Sequence, residues 1–131
     1  MASILKVDDL RGNTAAGDIT ITSEGGAATM QLQQGVIKAW CKWDNTGTPT
    51  QDDSLNVSSL TDTATGRTGL NLTNYMGSQY YAASGFGSNG YPMMSDVASA
   101  NTSSVCNVMI WYGGSYLDST IPSALITGDL A

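Results

Sequence analysis

Val36 to Leu60, VIKAWCKWDNTGTPTQDDSLNVSSL, decides the fold. It reads as a strand, a loop broken by Gly47 and Pro49, and a second strand. In the first strand, Val36 to Trp43, successive side chains alternate between faces. Ile37, Ala39, Cys41 and Trp43 share one face; Val36, Lys38, Trp40 and Lys42 share the other. A half-exposed strand alternates cleanly between apolar and polar. Here both faces hold apolar residues, and the outer one sets Trp40 between two lysines. A lysine stem can lie along an indole while its ammonium stays in water. The reading is that this outer face is covered, with another copy of the chain as the candidate cover. In the second strand, Leu55 to Leu60, Leu55 and Val57 are expected to point inward.

Working outward, Met1 to Leu10 contains Ile4, Leu5, Val7 and Leu10. It is too short for a stable isolated helix and reads as an extended arm that gains order on another surface. Asp18 to Thr22, DITIT, is a strand, and Glu24-Gly25-Gly26 a turn. Thr29 to Gln34 is a strand or a helical turn. Asp44 to Asp53 is a polar loop and Thr61 to Gly66 a turn. Arg67 to Thr73 is a strand with Leu70 and Leu72 inward, Tyr75-Met76-Gly77 a loop, and Gln79 to Phe86 another strand. GFGSNGYP, from Gly85 to Pro92, is a long loop carrying two aromatics. Met93 to Asn101 is a strand and turn or a short helix. Val105 to Tyr112 is the second strongly apolar strand. Cys106, Val108, Ile110 and Tyr112 lie on one face, and Val105, Met109 and Trp111 on the other with Asn107. Ser115 to Pro122 is a loop and Ala124 to Thr127 a last strand.

Short strands separated by turn clusters give an all-β fold, an antiparallel β-sandwich with an extended N-terminal arm. The arm spans residues 1–34 and the sandwich 35–131. Two strands with two apolar faces exceed what one sandwich can hide, which marks a subunit contact. Trp40, Trp111 and Met109 are the candidates for it. The alternative is that each tryptophan caps the edge of its own core.

At 131 residues the chain is long enough to bury a core by itself. Its net charge of −6, with five scattered basic residues, speaks against a nucleic-acid partner. No apolar run approaches the ~18 residues of a membrane span, so no membrane insertion is expected. No basic patch leads into an apolar run at the N-terminus, so no secretory signal is expected. Cys41 and Cys106 sit in apolar strands and read as buried free thiols, with a cross-strand disulfide as the rival.

Histidine is absent, which rules out a histidine-based nucleophilic triad. Neither cysteine has an evident base, no phosphate-binding glycine motif is present, and the zinc patterns need more Cys and His. Only Asp44, Asp52, Asp53, Asp62, Asp96 and Asp118 could supply a glycosidase pair, and Asp commonly caps turns. Asp44, Asn45 and Asp52 lack the spacing of a calcium loop. No catalytic residues, metal or cofactor are therefore expected. Aromatics cluster in the second half. Phe86, Asn89, Tyr91, Tyr112 and Tyr116 are the candidates for ligand recognition, since a ring can stack on an apolar face while amides and hydroxyls meet polar groups. Packing in core or loop is the competing role.

The ordered set Lys38-Ala39-Trp40, Asn45-Thr46-Gly47-Thr48 and Asn56-Val57-Ser58-Ser59-Leu60-Thr61-Asp62 resembles the C-terminal domain of bacteriophage tail-fibre and related virion appendage proteins. The opening MASILKVDDLRGNTAAGDITIT resembles the segment by which such proteins attach to the particle. The resemblance covers about the first half of the chain. It implies a non-enzymatic virion structural protein, assembled in the bacterial host cytoplasm. It further implies a parallel homotrimer attached to other virion proteins through Ile4, Leu5, Val7 and Leu10. Its distal loops would meet a host surface glycan or protein. The alternatives are an architectural decoration, cement or adaptor protein of capsid or tail, and a carbohydrate-binding module or small glycosidase.

Overall fold

The computed structural model describes residues 5–12, 19–22, 25–26 and 28–131. The chain divides into two compact units, Met1–Val36 and Ile37–Ala131. In the first, β1 (Thr20–Thr22) pairs antiparallel with β2 (Thr29–Gln31), with Ile21 opposite Met30. One helical turn follows, α1 (Leu32–Gly35), and the Leu32 N–H donates to the Ile19 carbonyl at 2.7 Å. The strand and the helical turn expected as alternatives over residues 29–34 thus occur one after the other. Residues 5–12 form neither helix nor strand, and Leu5, Val7 and Leu10 are exposed. Ile4, Asp18 and Glu24 lie outside the described residues.

The second unit is built from nine strands. They are β3 (Ile37–Asp44), β4 (Thr50–Leu55), β5 (Val57–Ala64), β6 (Arg67–Leu72), β7 (Ala82–Phe86), β8 (Pro92–Ser95), β9 (Val105–Tyr112), β10 (Ser115–Tyr116) and β11 (Ser123–Thr127). All pairings are antiparallel, and the hydrogen-bonded order is β4-β3-β11-β7-β8-β9-β6-β5, with β10 added to β9. The all-β antiparallel expectation holds. β4 and β5 stand at opposite ends of this path, yet a single residue, Asn56, separates them in the chain. The sheet must therefore curl until its two ends meet, which makes it nearly closed.

Asn56 makes that junction. Its φ is +59°, a left-handed conformation that Asn tolerates better than most residues. Its side-chain amide donates to the carbonyls of Lys38 (3.1 Å) and Asn74 (3.0 Å), and its side-chain oxygen accepts the Asn74 N–H at 2.6 Å. Its own carbonyl accepts the Thr73 N–H at 3.1 Å. One residue thus ties the start of β3 to the end of β6.

The turn at Asn56 also resets the alternation of side chains. The sequence reading made Leu55 to Leu60 one strand with Leu55 and Val57 both inward. Instead β4 ends at Leu55, which is 48% exposed, and β5 begins at Val57, which is buried. The polar loop is correspondingly shorter: β4 already starts at Thr50, and β5 runs on to Ala64 through what reads as a turn. The loop before β8 is also tight. Ser88–Gly90 forms one 3-10 turn, and the Gly87 N–H donates to the Tyr91 carbonyl at 2.8 Å.

The interior is lined by Ala39, Cys41 and Trp43 of β3, Leu70 and Leu72 of β6, Cys106, Val108 and Ile110 of β9, and Ala124 and Ile126 of β11. Met76 and Met93, unbranched and adaptable, complete it. These are the faces the alternation indicates, with two exceptions. Ile37, at the strand's start, is 46% exposed, and Lys38 is 6% exposed rather than solvated. At one point two backbones close on each other. Gly66 (φ +67°) has no room for a side chain, since a Cβ there would lie 2.5 Å from the Leu117 nitrogen. Its N–H donates to the Asp118 carboxylate at 2.6 Å, and its carbonyl accepts the Ile110 N–H.

Asn56→Ala removes three side-chain hydrogen bonds and places an ordinary residue at positive φ, so it is expected to cost about 2–3 kcal/mol. Asn56→Gly keeps the backbone freedom and is expected to cost about half as much. Urea unfolding of both variants measures the difference.

Candidate recognition surface

β9 carries aromatic side chains on both faces, because its last turn of alternation runs past the core. Cys106, Val108 and Ile110 point inward and are buried; Tyr112, next in that series, is 56% exposed. Its ring stacks on Tyr91, with centroids 4.5 Å apart and planes 19° apart. Tyr91 itself is half-buried against the core. The turn that carries it is fixed by hydrogen bonds. The Ser88 N–H donates to the Ser119 hydroxyl oxygen at 2.6 Å, and the Ser119 N–H donates to the buried Asn45 side-chain oxygen at 2.7 Å. Asn89, at φ +60°, is exposed on this turn.

On the other face of β9, Trp111 meets Tyr116 of β10 edge-on, with centroids 4.7 Å apart and planes 75° apart. The Arg67 guanidinium lies 5.7 Å from the centre of the same Tyr116 ring. Arg67 is held by the buried Asp96 carboxylate at 2.8 Å and donates to the Ser99 hydroxyl at 3.3 Å. Such a partly desolvated, hydrogen-bonded pair orients a side chain more firmly than a surface pair does.

The five recognition candidates therefore do not form one site. Tyr91 and Tyr112 come together, with Asn89 on the turn that leads into Tyr91. Tyr116 belongs to the Arg67–Trp111 cluster on the opposite face of β9. Phe86 is 64% exposed and lies opposite Ser123 of β11, which in turn lies opposite Lys42 of β3.

Of the three contact candidates, Met109 needs correction. It is buried within its own unit, 5% exposed, because it sits between Arg67 of β6 and Met94 of β8 on the outer face. Its neighbour on that face, Asn107, is roofed by the following loop, the Asn107 amide donating to the Ala100 carbonyl at 2.8 Å. The chain covers this side of β9 itself. Trp111, at 36%, and the half-buried Trp40 keep exposed surface.

Trp40 is joined by two residues that sequence reasoning did not single out. It lies directly between Leu55 of β4 and Leu125 of β11 in register, and these are 48% and 45% exposed. The row is an apolar strip on the outside of a sheet whose inside is already filled. Leu125 was legible, since Ala124 and Ile126 flank it as inward residues. Leu55 was not, because its phase depends on the turn at Asn56.

Four of the six candidate aspartates have structural partners. Asp44 accepts the Thr46 N–H (2.7 Å) and hydroxyl (2.6 Å), which hold its carboxyl below the usual range. Asp53 accepts the Ser54 N–H, Asp96 pairs with Arg67, and Asp118 caps Gly66. Among the described residues, no three Cys, Asp or Glu side chains gather as a metal would require. Both cysteines are free and buried. Burial, reinforced by Asp52 and Asp53, pushes the Cys41 thiol up to about 12; burial pushes Cys106 up to about 11, opposed by a hydrogen bond from Tyr81. Burial moves Lys38 the other way, down, with Asp129 opposing.

No protein-family model, curated protein or solved structure matches this chain.

The two thiols contribute to the alkaline limb of stability, together with the Tyr81 hydroxyl, which burial also raises. A folded pKa above the ordinary 9.0 means the folded chain holds its protons more tightly than the unfolded chain. This stabilisation is complete below pH 9.0 and is lost as pH rises toward about 11 for Cys106 and about 12 for Cys41. Lys38 titrates with the opposite sign and offsets part of the loss. The urea midpoint is expected to be flat from neutral pH to about 9 and to fall above it. In the Cys41→Ala/Cys106→Ala double variant the fall should be shallower, measured relative to its own neutral-pH value.

Proposed function

We propose that the chain is a non-enzymatic structural protein of a bacteriophage virion, similar in kind to tail fibres and spikes. In this reading the curled, nearly closed sheet takes the place of the expected β-sandwich as the body and associates as a parallel homotrimer. The N-terminal segment, with Ile4, Leu5, Val7 and Leu10, docks it to other virion proteins. The loops at the Tyr91–Tyr112 end face the host surface, where a glycan or protein is met.

The observation that carries the reading is the Leu55–Trp40–Leu125 row. On the outside of a sheet with a filled interior, a contiguous apolar row beyond what cross-strand pairing needs marks a face that meets another surface. An exposed indole is an anchor of the kind that dominates subunit contacts, and the flanking leucines widen its apolar surround. Three copies also multiply a weak surface affinity, which suits attachment to a repetitive cell envelope. Exposure of Leu5, Val7 and Leu10, with no helix or strand over residues 5–12, is consistent with a segment that orders on a partner.

Light scattering of the purified chain should give three times the 13.6 kDa protomer mass. Trp40→Ala with Leu125→Ser should shift it toward monomer while far-ultraviolet circular dichroism stays unchanged, since neither side chain belongs to the core. Loss of the indole anchor is worth at least ~2 kcal/mol, about thirtyfold in association. A wild-type monomer would remove the trimer. Mass spectrometry of purified phage particles should find the chain, and deletion of residues 1–12 should remove it from them.

A further inference from the structure

We infer that the free face of Tyr112 is a stacking platform for a neutral sugar ring, with the Asn89 carboxamide as its polar contact. The inference rests on the host-surface reading above and names the ligand class.

Among the exposed aromatics of this unit, Tyr112 is held in a manner suited to binding. One face of its ring is fixed against Tyr91 at 4.5 Å, and the side chain is still 56% exposed. A ring braced in this way loses little freedom when a ligand covers its other face. Tyr116 differs: Trp111 meets it edge-on and the Arg67 guanidinium lies over it. Phe86 and Tyr80 are more exposed, at 64% and 87%, and have no stacking partner among the described residues.

The surroundings are open and rigid at once. A Cβ built on Gly90, Gly113 or Gly114 would meet nothing within 4 Å. The turn glycines on either side of the Tyr91–Tyr112 pair thus border open space. The two turns that border it are nonetheless tightly set. The Gly113-Gly114 turn, with φ of +62° and +88°, closes the two-residue hairpin that pairs Tyr112 with Ser115. The Ser88–Gly90 turn is tied to Ser119 through two hydrogen bonds, at 2.6 and 2.9 Å.

The chemistry selects the ligand class. Residues 87–91 and 112–116 read GSNGY and YGGSY, without a charged side chain. Neither turn supplies a counter-ion of its own, Arg67 beside Tyr116 is already paired with Asp96, and the chain's net charge of −6 disfavours anions. A flat apolar C–H face bordered by hydroxyls fits: the ring takes the C–H face, and a carboxamide both donates to and accepts from hydroxyls. Neutral hexoses and deoxyhexoses have that form.

The test is saturation-transfer NMR on the intact chain with glucose, galactose, rhamnose and N-acetylglucosamine and their short oligosaccharides. Transfer to the C–H protons of at least one sugar is expected. Tyr112→Ala should weaken that binding about fivefold to tenfold. Asn89→Gly, which keeps the positive φ, should weaken it severalfold, and Tyr80→Ala should leave it unchanged. No transfer to any of the sugars, or equal binding by Tyr112→Ala and Asn89→Gly, overturns the inference. Particle incorporation separates this from the wider reading. A chain present in particles but silent toward sugars loses the platform and keeps its virion role. A chain that binds sugars through Tyr112 yet is absent from particles keeps the platform and loses that role.

Discussion

The structure of the second unit depends on one residue held in a left-handed turn. Asn56 joins the two strands that end the hydrogen-bonded path of the sheet, so the path must bend back on itself. The carboxamide answers the carbonyls of Lys38 and Asn74 and the Asn74 N–H, groups a break between strands would otherwise leave unmatched. The same turn shifts the alternation by one step. Leu55 goes to the outside and Val57 to the inside, and the outer apolar row is a direct result.

Once the sheet is curled, its inside is filled by side chains from β3, β6, β9 and β11, with methionines in the gaps. The two thiols lie in that filled space, and burial keeps them protonated and chemically quiet. The outside is treated differently from place to place. Around β9 the chain covers itself: Asp96 fixes Arg67, Arg67 lies over Tyr116, and the loop to Asn101 roofs Asn107. At Trp40 of β3 it does not, and the indole stays between two exposed leucines. That contrast between two otherwise similar strands separates a side the protomer finishes alone from one that keeps an exposed apolar row.

The Tyr91–Tyr112 end follows from the same geometry. β9 is longer than the core it crosses, so its inward series runs out into solvent as Tyr112. Ser119 and Asn45 brace the turn that brings Tyr91 beneath it. The rings are thus positioned by the scaffold's hydrogen bonds rather than by any partner, which is the usual way a rigid sheet presents a loop for contact.

Local pattern alone determined the all-β class, the positions of β3 and β9 to within a residue or so, and their inward faces. A period of two is a property of the strand itself and needs no partner to be read. It put Tyr91 in a loop but left Tyr112 on the face of Cys106, Val108 and Ile110, and it grouped both with Tyr116 and Phe86 because all four are aromatic and near in sequence. Only the tertiary structure divided that group, since which face of which strand a side chain occupies depends on pairing. Met109 shows the same limit: its outward phase was legible, but its burial comes from Arg67, Met94 and the loop beyond β8, residues up to 42 positions away in the chain. The phase reversal at Asn56 was equally out of reach. A left-handed residue between two strands leaves no periodic mark, and its hydrogen-bond partners exist only after the two ends of the sheet have met.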